Sequence, residues 1–288
     1  MSEDLTILDG GMGGELIRRG WPSGGLWSAK ALLENPEVGR AVHQDYVSAG
    51  AQVIITNSYS TVPSYLAKED MQSRYVELTE IAARLAREVA DAAPAEVRVA
   101  GCLPPLSESY RPDLVPGDDE SRPIYSEIIK ALSADVDLYL CETMSSVREA
   151  VNAASSVRET DPDKPLWVAL TLADEPGGGL RSGENMDQVV SALEPYDVDA
   201  FLFNCTDPTS ISVALEELVP LTNKPTGAYP NRFHVPPGWT LDNEIAVEPT
   251  EMTVEDYLGF VDTWRRSGAT IIGGCCGIGP EFIAALSS

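Results

Sequence analysis

The sequence predicts an α/β chain closed into a (β/α)8 TIM barrel over residues 1–288, and three observations carry that prediction. Short apolar, β-branched runs recur along the chain, and segments with helical signals separate most of them. Eight such units in 288 residues match the count and length of this fold.

The first run, Leu5–Leu8, leads into Asp9-Gly10-Gly11. A helix over Pro36–Ala49 follows, because Asn35 can cap it and Pro36 suits its first turn. Val53–Thr56 is the second strand, and Ile81, Leu85 and Val89 at four-residue spacing predict one long helix over Ser64–Ala93. Strands over Val97–Cys102, Val136–Cys141, Leu166–Leu172, Ala200–Cys205, Pro225–Tyr229 and Ala269–Gly273 complete the eight. Helices over Ile124–Leu132, Val147–Arg158, Met186–Leu193, Ile211–Val219 and Val254–Ser267 lie among them.

Composition excludes several classes of function. The chain is 43% hydrophobic, enough for a real core, and carries 20 Lys+Arg against 45 Asp+Glu for a formal charge of −25. That charge repels nucleic acid and anionic membranes, and its spread along the chain reads as a solvated surface suited to salt. The start, Met1-Ser2-Glu3-Asp4, lacks a signal peptide's basic and apolar regions, and no apolar run reaches a membrane-spanning length. The expectation is a cytoplasmic protein, a monomer or small homo-oligomer. Five cysteines form no disulfide framework, which leaves thiols available for metal or catalysis.

In a barrel of this kind the working residues sit at the C-terminal ends of strands. Here the eighth strand ends in Gly273-Gly274-Cys275-Cys276-Gly277, where two thiols can meet one soft metal ion if the backbone turns between them. Packing cysteines or a strained vicinal disulfide are the local alternatives. The sixth strand ends in Cys205, two strands away in the ring, and supplies a third ligand. Three thiolates with an open fourth position describe a catalytic Zn2+ site, able to hold a substrate thiol deprotonated at neutral pH. Cys141 precedes Glu142 and so faces the helices, while Cys102 reads as packing. His43 and His234, the only histidines, have no placed partner, so no protein base is assigned. Methyl transfer to a thiolate needs none.

An ordered set of motifs now carries a resemblance. Leu8-Asp9-Gly10-Gly11-Met12-Gly13-Gly14-Glu15-Leu16, Leu26-Trp27-Ser28-Ala29, Thr56-Asn57-Ser58-Tyr59, Glu142-Thr143, Asn204-Cys205, Tyr229-Pro230-Asn231 and Gly273-Gly274-Cys275-Cys276-Gly277 together resemble the homocysteine S-methyltransferase family over nearly the whole chain. The resemblance implies zinc on Cys205, Cys275 and Cys276, to which homocysteine adds its sulfur. It also implies that Asp9 and Glu142 hold the homocysteine ammonium, and the amides around Gly10, Gly11 and Met12 can then face its carboxylate.

The methyl donor of such a reaction is an onium ion, which aromatic faces attract; Trp27 and Tyr59 are the candidates, with Asn57 and Asn231 for polar contacts. The chain ends at Ser288, without room for folate or cobalamin modules, which favours S-methylmethionine or S-adenosylmethionine over betaine or dimethylsulfoniopropionate. The loop Phe233–Trp239 departs from the pattern of the compact enzymes, and the glycine-rich loop Pro176–Gly179 reads as a mobile cover. Two other classes stand beside the transferase. One is a zinc and homocysteine carrier that takes methyl from a separate corrinoid protein. The other is a dithiol redox protein, against which a third thiol at Cys205 argues.

Overall fold

The computed structural model describes residues 5–21, 26, 28–234 and 248–287. Eight parallel strands form one sheet: β1 (Thr6–Ile7), β2 (Val53–Ile55), β3 (Arg98–Leu103), β4 (Leu138–Met144), β5 (Leu166–Leu170), β6 (Ala200–Asn204), β7 (Thr226–Tyr229) and, last in the chain, Ile271–Ile272. Between the seventh and eighth lies a short antiparallel hairpin of β8 (Phe233–His234) and β9 (Glu248–Pro249), so the eighth barrel strand is β10. The strands neighbour one another in chain order, and β10 pairs with both β7 and β1. The ring closes between β1 and β2, where the Gln52 amide donates to the Ile7 carbonyl at 2.8 Å and the Asp9 amide to the Val53 carbonyl at 3.0 Å. The expected barrel is present.

Strand alternation sorts the side chains into two layers. Leu8, Val53, Ala100, Leu138, Leu140, Trp167, Ala169, Leu202, Tyr229 and Ile271 pack together inside the barrel. Ile7, Ile54, Val99, Tyr139, Cys141, Val168, Phe201 and Ile272 belong to the larger core against the helices. These are α1 (Met12–Arg18), α2 (Ser28–Glu34), α3 (Pro36–Ser48), α4 (Pro63–Leu66), α5 (Tyr75–Asp91), α6 (Asp118–Leu132), α7 (Val147–Thr160), α8 (Met186–Leu193), α9 (Pro208–Leu218), α10 (Val254–Arg266) and α11 (Pro280–Leu286).

The long helix expected over Ser64–Ala93 is broken. Asp70 takes a left-handed φ of 57°, and regular helix resumes only at Tyr75. Helix α6 starts earlier than Ile124, because Asp118, Asp119 and Glu120 in its first turn suit the helix dipole and Pro123 is accommodated within it. Helices α1, α2 and α11 were not legible, being only 7 residues each. Among the described residues no helix is long and apolar enough to cross a membrane.

A charge of −25 makes the folded chain repel itself, and salt screens that repulsion. Raising sodium chloride from about 0.1 to about 1 M, where the screening length falls to ~3 Å, is expected to raise the melting temperature. A gain of about 1 kcal/mol appears as roughly 2 °C or more in a chain of this size, well within reach of thermal unfolding followed by circular dichroism. A melting temperature that stays level or falls would leave the acidity as solvation alone.

Candidate functional site

The C-terminal ends of the strands surround a mouth of about 1160 Å³, counted out to open solvent. It is lined by the β1 loop, the strand ends carrying Asn57, Glu142 and Cys205, the loop segment with Ser109 and Tyr110, and Gly274–Gly277.

Three thiols meet here. The sulfurs of Cys205, Cys275 and Cys276 lie within 4.8 Å of one another, and those of Cys205 and Cys276 are 3.7 Å apart. The turn that brings them together is built by hydrogen bonds: Cys275 N–H to the Pro230 carbonyl at 2.8 Å, Ile278 N–H to the Cys275 carbonyl at 3.1 Å, and Arg232 N–H to the Cys276 carbonyl at 2.9 Å. Gly277 supplies the left-handed residue of this turn, at φ 81°. Gly11 answers a different demand, since a Cβ there would sit 2.7 Å from the Cys275 carbonyl oxygen. Cys205 itself leaves β6 in the left-handed region at φ 49°, which ends the strand one residue before the predicted boundary.

As thiols the three are electrostatically unequal. Hydrogen bonds from Cys275 and then Cys276 hold the Cys205 thiol well below the usual cysteine range. The Cys205 contact pushes Cys275 and Cys276 upward. One sulfur of the three is therefore readily a thiolate, and a cation bound among them would favour the charged form of the other two. The donor set is all sulfur, which suits zinc or another soft ion rather than magnesium or calcium.

Two carboxyls lie beside the thiols. Asp9, 3% exposed, accepts the Ile55 N–H at 2.8 Å on Oδ2, while its buried Oδ1 has no hydrogen-bond partner. Glu142, 8% exposed, accepts the Cys102 thiol at 3.0 Å on Oε2. Burial raises both, Glu142 to about 7, and Glu142 pushes Asp9 further up. An unpaired buried carboxylate is costly, so this pair invites a cationic group. Glu142 is aimed inward by an irregularity in β4: the register shifts between Cys141 and Met144, and Thr143 sits at φ 61°. Asn204 holds that kink, accepting the Thr143 N–H at 3.0 Å and donating to its hydroxyl at 2.8 Å.

Of the other residues singled out from sequence, Gly10, Gly11, Met12, Asn57 and Tyr59 line the mouth. The Gly11 amide is already committed to the Ile278 carbonyl at 3.0 Å. The Tyr59 hydroxyl is 2.7 Å from the Ser109 hydroxyl, and the Asn57 amide donates to the Ser28 carbonyl at 3.3 Å. Asn231 is buried outside the mouth, its amide turned to the carbonyls of Phe233 at 3.0 Å and Thr206 at 3.2 Å. Trp27 and residues 235–239 of the loop lie outside the described residues. The Pro176–Gly179 loop forms a turn with Gly178 N–H on the Glu175 carbonyl at 3.0 Å and does not line the mouth. His43 is buried in α3, and burial lowers it to about 4, so it stays neutral.

Sequence reasoning missed Cys102, Ser109 and Tyr110 and named Phe233 only as the start of an unusual loop. Cys102 had a usable signal, a strand-end position; Ser109 and Tyr110 come from a loop whose path no periodicity reveals, and Phe233 from the short strand β8.

Barrel and mouth together define a class: an α/β barrel with a three-cysteine metal site next to two buried carboxyls. Comparison with known proteins makes the class specific. The family model for homocysteine S-methyltransferase matches residues 6–288, and the chain belongs to that family of methyltransferases acting on homocysteine. It is 33% identical to the homocysteine S-methyltransferase of Escherichia coli (strain K12), over 99% of this chain and 95% of that one. It is 30% identical to the homocysteine S-methyltransferase YbgG of Bacillus subtilis (strain 168), over 99% and 94%. The crystal structure of the metallated form of the homocysteine methyltransferase MmuM from Escherichia coli superposes with a TM-score of 0.82 at 31% identity, covering 99% of this chain and 96% of that one.

Proposed function

We propose that the chain binds Zn2+ through Cys205, Cys275 and Cys276 and moves a methyl group from a small onium donor, S-methylmethionine or S-adenosylmethionine, to homocysteine, giving methionine. The observation that carries this reading is the meeting of three sulfurs within 4.8 Å in the same mouth as Asp9 and Glu142. Zinc, when bound, supplies the acidification that keeps a substrate thiol ionised at neutral pH.

The chain's own residues do the rest by placement. Asp9 Oδ1 and the Glu142 carboxylate pair with the homocysteine ammonium, which satisfies the charge that burial makes costly. The amides of Gly10 and Met12, on either side of the committed Gly11 amide, face the substrate carboxylate, and glycine leaves the approach open. The donor packs against Tyr59, with Asn57 at its polar groups, and the aromatic faces of Tyr110 and Phe233 add to that wall. The sulfur lone pair of homocysteine forms the new S–CH3 bond in line. The electrons of the broken bond return to the donor heteroatom, so no side chain takes up a proton during transfer.

The test is methionine formation by zinc-loaded protein from homocysteine with S-methylmethionine, S-adenosylmethionine, betaine or dimethylsulfoniopropionate, each alone. Turnover is expected with one of the first two. Turnover with betaine or dimethylsulfoniopropionate only would reassign the donor, and none with any of the four would remove the self-contained transferase in favour of a carrier.

A further inference from the structure

We propose that Tyr110 is a positioning residue of the metal centre, its hydroxyl donating a hydrogen bond to the Cys205 thiolate and so fixing that ligand's direction and charge. The proposal rests on the reading of the three cysteines as metal ligands. Tyr110 Oη and Cys205 Sγ are 2.9 Å apart, and both residues are buried in the same small cluster at the mouth. Both also hold backbone conformations that side-chain-bearing residues rarely adopt, φ 65° at Tyr110 and φ 49° at Cys205. Two such residues persist face to face only where their surroundings over-determine them.

Those surroundings are visible. The Arg181 guanidinium lies over the Tyr110 ring at 4.6 Å. Its Nε donates to the Thr171 hydroxyl at 3.3 Å and its Nη2 pairs with Asp174 at 2.8 Å. The Thr171 hydroxyl in turn donates to the Cys205 carbonyl at 3.4 Å. One arginine thus braces the ring that carries the hydroxyl and, through Thr171, the backbone that carries the sulfur.

The chemistry explains why the contact matters. Three thiolates around a divalent cation carry a net negative charge, which a fourth sulfur increases, and Cys205, the buried one of the three, has the least help from water in bearing it. A neutral O–H donor spreads charge off one sulfur without competing for the metal, and partners of this kind tune both affinity and ligand orientation. A phenol fits the role because it keeps its proton at neutral pH.

The experiment compares wild type, Tyr110→Phe and Arg181→Met. Zinc affinity is measured by competition with a chromophoric chelator, and the sulfur-to-metal charge-transfer band is recorded in the cobalt(II)-substituted proteins. Tyr110→Phe, which keeps the ring, is expected to weaken zinc roughly 10- to 100-fold. It should also move the charge-transfer band to longer wavelength, because a sulfur that loses its hydrogen bond is easier to oxidise. Arg181→Met, which keeps the hydroxyl but frees the ring, should shift the band the same way by less. A loss of packing alone would not move the band energy. Bands and affinities equal to wild type in both variants would overturn the proposal, whereas wild type that binds neither metal would overturn the reading of the site beneath it, and the proposal with it.

Discussion

Cys205→Ala is expected to lose its metal and with it all measurable methyl transfer, while the barrel stays folded. A four-ligand zinc site is worth roughly 10–16 kcal/mol, so each ligand accounts on average for about 2.5–4 kcal/mol, or roughly two to three orders of magnitude in affinity. Cys205 is the informative ligand to remove, because it alone comes from a different strand end than the adjacent pair. The fold does not depend on it, because it lies at the rim in a small cluster with Tyr110, apart from the two large cores. Zinc content by atomic spectroscopy and circular dichroism on the same sample separate the two effects. Cys141→Ala is the control, since that thiol packs between strands and helices. Full activity in Cys205→Ala, or metal loss in Cys141→Ala, would sink the ligand assignment.

Glu142→Gln and Asp9→Asn are expected to weaken the amino-acid substrate far more than the donor. A hydrogen bond to a charged group contributes about 1.5–3 kcal/mol, which corresponds to roughly a 10- to 150-fold rise in the homocysteine KM for each variant. Equal or larger effects on the donor KM would reverse the assignment of the two halves of the mouth. The pH dependence adds a sign. Burial raises the Glu142 carboxyl to about 7, so the ammonium finds a charged partner above that pH and loses it as pH falls through 7. Binding of methionine, whose thioether takes no proton, is the clean readout: affinity should fall below pH 7 in wild type, and Glu142→Gln should lack that component. Stability of the ligand-free protein moves the other way. A carboxyl raised above its unfolded value contributes most below that unfolded value, and its contribution is lost as pH rises toward 7.

Much of this was readable without coordinates, for physical reasons. The β-branched runs mark strands because each is buried on two faces, and their order needs no further information once every connection is a right-handed crossover. Strand ends then locate the mouth, which is how Cys205 could be joined to Cys275 and Cys276 across 70 residues of sequence. What remained hidden depends on departures from regularity. Cys102 points at Glu142 because β4 kinks at Thr143, and neither the φ of 61° nor the shifted register has a compositional signature. Tyr110 reaches Cys205 from a loop with no period. Asn231 looked like a polar group at a strand end, yet its amide closes on backbone carbonyls, a role no spacing distinguishes from substrate contact.

The seam between β1 and β2 gives Asp9 a second duty. There the Gln52 side chain accepts the Ile7 N–H at 2.9 Å and Asp9 accepts the Ile55 N–H at 2.8 Å, so side chains stand in for rungs that a regular ladder would draw from backbone. Asp9 spends one oxygen on holding the ring shut and leaves the other, buried and without a partner, at a residue that lines the mouth. A single position thus answers to two selections at once. Asparagine can serve the first with its carbonyl oxygen but brings no charge to the second, and alanine serves neither, so the tolerance of this site to change is set by the stricter of two unrelated demands.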